Sequence, residues 1–268
     1  IHYGAQALVE VGKRWGSPAS DDSHTTMGWD ETRDVLTIEG AGEQGAIRGD
    51  LEIGELELRL SAAGKASRNL KLQGRTLAEA MEWMDATARA LAGPPKQESV
   101  PAPDLPDHPI AAGAAFHGNA SGFSRIQAMY RATAASLEKL SSAHPAFGAA
   151  RCWPHHFDLA TLAVLQSDAE GNMERTLGVG LTPPDALEAS GYWYVSPWAA
   201  GGRNDPGLAS APLGHGSWLP RSGSSPMAIL SVAELTRVAA ERQPAALARF
   251  LADAVGAALG TTVEEQSG

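Results

Sequence analysis

Between Glu55 and Ala62, Leu56, Leu58 and Leu60 alternate with Glu57, Arg59 and Ser61. A strand turns successive side chains to opposite faces, so this pattern specifies a sheet strand with one dry face and one wet face. Strand-like runs surround it at Asp34–Glu39, Ala46–Ile53 and Asn69–Gln73. A short amphipathic helix is predicted ahead of them over Tyr3–Arg14, where Ala7, Leu8, Val11 and Trp15 fall at helical spacing. A second helix is predicted behind them over Thr76–Leu91. Thr76 and Glu79 form a capping box at its start, and Gly93-Pro94-Pro95 stops it.

The remainder of the chain repeats the theme. Strands are predicted at Phe157–Gln166, Arg175–Thr182, Tyr192–Trp198 and Met227–Leu230. Ser231 and Glu234 then form a second capping box, and a helix begins at Pro244. A long helix over Ser121–Leu140 carries Ile126, Met129, Thr133, Leu137 and Leu140 on one side. The expected fold is α+β, a mainly antiparallel sheet with flanking helices, in two related strand-then-helix halves. The expected division is 1–92, a proline-rich connector over 93–118, and 119–268. Two unrelated α+β halves would give much the same pattern.

Composition narrows the function classes. The formal charge is −10, from 21 basic and 31 acidic residues, with no basic stripe for phosphate contacts, so nucleic acid is not an expected partner. No apolar run reaches the length of a membrane span, and no secretory signal stands out. The one cysteine, Cys152, excludes an internal disulfide framework and a cysteine-rich zinc site; it reads as a small packed residue, and a reducing cytoplasm is the expected location. A homo-oligomer is left open.

Gly40, Gly42 and Gly45 spell a G-x-G-x-x-G, but a dinucleotide site needs that turn to enter a helix, whereas more strand follows here. The glycines read as a hairpin loop, and no nucleotide cofactor is expected. The stronger cluster is Trp153-Pro154-His155-His156-Phe157-Asp158. If it is a strand, His156 and Asp158 share a face, where they could hold a proton, a metal ion or a base. A metal would need a third ligand, with His215 or His117 as candidates. The alternative is that these imidazoles are packed or satisfied locally. Tyr192 and Tyr194 share one strand face with Trp193 opposite, as pocket wall or as core. The Gly/Ser/Pro-rich stretch between Ala199 and Pro226 contains Arg203, Asn204, Asp205 and His215, and reads as a lid or an unstructured loop.

Ile1-His2, Gly12-Lys13-Arg14, the Ser121–Leu140 helix, His156-Phe157-Asp158-Leu159-Ala160 and Tyr192-Trp193-Tyr194 with Pro197 occur in this order. Together they resemble an uncharacterised bacterial family catalogued as domain of unknown function 5996. The resemblance spans most of the chain, and its locally specific piece is Phe157-Asp158-Leu159-Ala160. The chain departs from the family at Ser23-His24-Thr25-Thr26-Met27-Gly28-Trp29, where the family's first strand opens Asn-His-Trp-Trp-His. The resemblance implies an architecture and carries no activity.

The expected role is small-molecule binding, with ligand-site candidates His156, Asp158, Tyr192, Tyr194 and His215. One alternative is a metal-dependent hydrolase using His156 and Asp158, with His215 as third ligand. Another is a structural or oligomerisation module without a ligand.

Overall fold

The computed structural model describes residues 1–19, 23–98, 105, 107–203 and 205–264. Pro101, Pro103 and Pro106 of the expected connector, and Asn204, lie outside the described residues. The fold is α+β, with five helices and eleven strands among the described residues, and the strand pairings within each unit are antiparallel. No helix among the described residues is long and apolar enough to cross a membrane. The chain forms two compact units, Ile1–Arg131 with Arg151–Phe157, and Ala132–Ala150 with Asp158–Gly268. The division falls within the long third helix and on either side of 151–157.

The first unit opens with α1 (His2–Trp15) and continues through β1 (Met27–Asp30), β2 (Val35–Gly42), β3 (Gly45–Glu52), β4 (Glu57–Ala62) and β5 (Arg68–Lys71) to α2 (Leu77–Ala92). α3 (Ala120–Ala143) contributes its residues up to Arg131, and β6 (Arg151–Trp153) pairs with β1. The strands stand in the order β6-β1-β2-β3-β4-β5. The leucine alternation within β4 places its apolar side inward, with Leu58 and Leu60 fully buried, while Leu56 lies in the turn before the strand and is 1% exposed.

α1 buries Ala7, Leu8, Val11 and Trp15 completely, the stripe its spacing dictates. α2 begins at the predicted capping box: Thr76 accepts from Glu79 N–H, and the Glu79 carboxylate accepts from Thr76 N–H. The G-x-G-x-x-G segment is a hairpin, with Gly42 opposite Gly45 and only Glu43-Gln44 between the strands. Gly40 and Gly42 serve close packing, whereas Gly45 supplies a φ of 121° at the hairpin. A Cβ on Gly40 would stand 2.7 Å from the Trp15 Cβ, and one on Gly42 would stand 2.2 Å from the Ala92 carbonyl oxygen. Trp15 is thereby enclosed, and its indole N–H donates to Gly93 O at 3.1 Å.

The second unit holds β7 (Asp158–Ser167), β8 (Met173–Thr182), β9 (Tyr192–Ala199), β10 (Ser217–Arg221) and β11 (Ser224–Ser231), then α4 (Val232–Leu235) and α5 (Gln243–Glu264). Their order is β10-β11-β9-β8-β7. β10 corrects the reading of Ala199–Pro226 as a lid or loop. The stretch folds into short 3-10 turns at Ala200–Gly202 and Pro206–Ser210 and then the edge strand. The Arg221 guanidinium fastens that edge by donating to Ser196 Oγ and to the carbonyls of Pro197 and Ser225. The second capping box is half formed. Ser231 accepts from Glu234 N–H, but the Glu234 carboxylate reaches Gly216 N–H instead. Both units contain an antiparallel meander followed by a helix. They differ where β11 inserts between β9 and β10, whereas β1 to β5 lie in sequence order.

Candidate functional site

The Trp153–Asp158 segment is not one strand. β6 ends at Trp153, Pro154 to Phe157 form a tight turn in which Phe157 N–H donates to Trp153 O at 2.7 Å, and β7 starts at Asp158. Pro154 has no N–H for a ladder. Phe157 reverses the chain with φ of 55°, a left-handed conformation uncommon for a bulky residue. Alternation therefore does not put His156 and Asp158 on a common face. His156 instead packs against His155, with ring centroids 4.3 Å apart.

Within the second unit, Asp158, Tyr194 and Tyr192 do come together. Tyr194 Oη donates to Asp158 Oδ2 at 2.6 Å, and Asp158 is only 8% exposed. Tyr192 Oη donates to Asp185 Oδ2 at 3.1 Å, and the two tyrosine rings lie 6.4 Å apart. Trp193 points the other way, as strand alternation requires, and its indole N–H donates to Thr133 on α3 at 2.9 Å. His215 takes no part in these hydrogen bonds; it sits in the bend before β10, next to Gly214, whose N–H donates to Asp253 of α5.

Burial and the neighbouring Asp158 carboxylate hold the Tyr194 hydroxyl well above its ordinary range, and burial with Asp185 pushes Tyr192 up to about 12. The folded protein then keeps protons that the unfolded chain releases above about pH 10, so this contribution to stability falls as pH rises from there toward 12. In an alkaline ultraviolet titration, Tyr192→Phe is expected to remove a phenolate signal that develops only near pH 12. A missing signal centred on the ordinary tyrosine value would contradict this environment.

The first unit holds an open cleft of about 240 Å³. His2 and Tyr3 from the start of α1, Asp107 and His108 from the segment ahead of α3, and His117 just before α3 form its polar walls. Leu56, Ile110, Phe116 and Phe123 supply the apolar surface. Two of the three imidazoles are held by neighbours whose roles fix their protons. His2 Nε2 lies 2.7 Å from Pro154 O, a pure acceptor, so Nε2 carries the hydrogen. Gln6 donates to the same carbonyl at 2.6 Å. The His2 ring stacks on Phe157 with centroids 5.3 Å apart and planes 17° from parallel. Burial lowers the His2 pKa against the hydrogen bond to Pro154 O, which raises it, and the amino terminus, His156 and His155 lower it further. His108 Nδ1 accepts from Ile110 N–H at 3.2 Å, which leaves its hydrogen on Nε2, and the ring lies 5.6 Å from Tyr3.

Two bulky residues with left-handed backbone belong to this neighbourhood. Leu56, φ 50°, lines the cleft, and Phe157 backs His2. Each such conformation costs on the order of 1–3 kcal/mol and persists only where surrounding structure imposes it. Leu56 is fixed by Leu72 N–H donating to its carbonyl, and Phe157 by the Tyr130 hydroxyl donating to its carbonyl.

The cleft uses His117, which the sequence offers only as a spare metal ligand, and His2 and His108, which it offers as no site at all. His108 lies in the stretch whose six prolines read as a connector, and no local motif links it to His2 across more than a hundred residues. Among the described residues, no three His, Cys, Asp or Glu side chains are grouped to hold a metal ion. The metal reading of His156, Asp158 and His215 therefore draws no support from the arrangement. Comparison of the chain with family models, with curated proteins and with solved structures finds no match.

Proposed function

We propose that this chain is a small-molecule-binding protein whose ligand occupies the cleft of the first unit. The supporting observation is the combination of an apolar floor with three imidazoles and a tyrosine on the walls. A concave apolar surface with a few placed polar groups is the general form of a ligand site. Backbone strain at Leu56 and Phe157 marks the same neighbourhood. In this reading the ligand site moves from the His156, Asp158, Tyr192, Tyr194 and His215 set to the His2 and His108 walls. The Asp158–Tyr194 pair then anchors β7 to β9.

Kinship with the family catalogued as domain of unknown function 5996 remains part of the proposal. Its most specific segment, Phe157-Asp158-Leu159-Ala160, contains the left-handed Phe157 and the Asp158 that receives Tyr194. Descent of the two units from one module is favoured by their shared meander-then-helix order.

A fragment panel screened by nuclear magnetic resonance tests the cleft. Binders are expected with dissociation constants on the order of 1 mM, as for ligands of few atoms. Their shifts should centre on Tyr3, His108, Ile110 and His117, and Ile110→Trp, which fills the cleft, should abolish them. A panel without binders, or shifts unchanged by Ile110→Trp, would overturn the proposal.

A further inference from the structure

The cleft's two fixed imidazoles differ in what they can offer. His2 spends its Nε2 hydrogen on Pro154 O, which leaves Nδ1 as an acceptor. His108 spends its Nδ1 lone pair on Ile110 N–H, which leaves Nε2–H as a donor. Neither remaining nitrogen has a hydrogen-bond partner among the described residues. Each tautomer is set by a backbone group, so neither ring can exchange roles without losing a bond.

The walls also disfavour an anion. The lining side chains contain one carboxylate, Asp107, and neither lysine nor arginine, and burial lowers the pKa of the Ile1 amino group that also lines the cleft. The half-buried His2 ring has its pKa lowered, chiefly by desolvation, so it is a poor source of positive charge at neutral pH. The volume, about 240 Å³, lies below the roughly 300–1,000 Å³ of sites for drug-sized ligands. The occupant is therefore small.

Resting on the ligand-cleft reading above, we infer that the cleft selects a small neutral molecule whose polar end carries a hydrogen-bond donor beside an acceptor, a primary carboxamide or lactam, on an apolar body. The amide N–H meets His2 Nδ1, the amide carbonyl meets His108 Nε2–H, and the body lies on Leu56, Ile110, Phe116 and Phe123. A carboxylate of the same shape has no donor for His2 and faces Asp107.

Benzamide and benzoate share a shape and differ in this respect, and their affinities for the whole chain are compared at about pH 8, above the ordinary imidazole range. Benzamide is expected to bind about 10-fold or more tightly than benzoate, the worth of a hydrogen bond together with an unpaired group. His108→Phe keeps a ring in place and removes the donor. Because His108 is exposed on the surface, the variant should retain the far-ultraviolet dichroism of the parent. It should weaken benzamide by about 3–10-fold. Benzoate binding as tightly as benzamide, or benzamide unaffected by His108→Phe, would overturn the inference while leaving the cleft a ligand site. If neither probe binds while apolar fragments of the panel do, the inference also falls. A panel with no binder at all removes the cleft reading and this inference with it.

Discussion

Trp15→Ala is expected to destabilise the protein by about 3–5 kcal/mol, as truncation of a fully buried large aromatic does. The indole sits where α1 meets β2 and the end of α2, against Gly40 and Gly42. The glycines have no side chains with which to fill the space the ring would leave. The cost therefore includes a cavity that relaxes poorly, and a lost partner for Gly93 O. Urea unfolding gives the measurement: the midpoint should fall sharply while the slope stays constant. Trp15→Phe should recover part of the loss, because it restores ring volume without the N–H. A Trp15→Ala midpoint near that of the parent would mean that the glycine-lined seat is not a unique packing arrangement.

Tyr194→Phe is expected to cost about 1–3 kcal/mol by removing a donor from a carboxylate that is 8% exposed. The ring and its strand position are unchanged, so the loss isolates the hydroxyl. Asp158→Asn in the same background completes a double-mutant cycle. Its coupling energy should be well above the few tenths expected of independent sites. Simple additivity would show that the hydroxyl and the carboxyl do not depend on each other.

The fold was largely legible because its elements carry local signatures. The leucine alternation in β4, the Thr76–Glu79 box of α2 and the stripe of α1 each follow from a few neighbouring residues. What escaped were short strands whose pairing is settled elsewhere. β1 is four residues long, and β6 is three, paired with β1. β10 lay hidden in glycine and serine because hydrogen bonds from Arg221 and pairing with β11 stabilise it, rather than strand propensity.

The site was less legible for the same reason carried further. Tyr192, Tyr194 and Asp158 were recognisable as a group because strand alternation is local. Strand alternation does not relate His156 to Asp158, because Phe157 between them takes a left-handed φ that its residue type argues against. His2 and His108 become neighbours of one cleft only through the packing of α1 and the segment ahead of α3, which no short window of sequence contains.

One outer strand of each unit limits how copies of this chain can associate. β5 is four residues long and presents exposed Arg68, Asn69 and Lys71. β10 carries Pro220 and a register shift between Leu219 and Arg221. Short charged edges, prolines and bulges are the features that keep a free ladder from recruiting another chain. At the concentrations used for structural work, these two rims should resist growth into fibrils, and any specific self-association is directed to side-chain surfaces rather than to shared backbone hydrogen bonds along them.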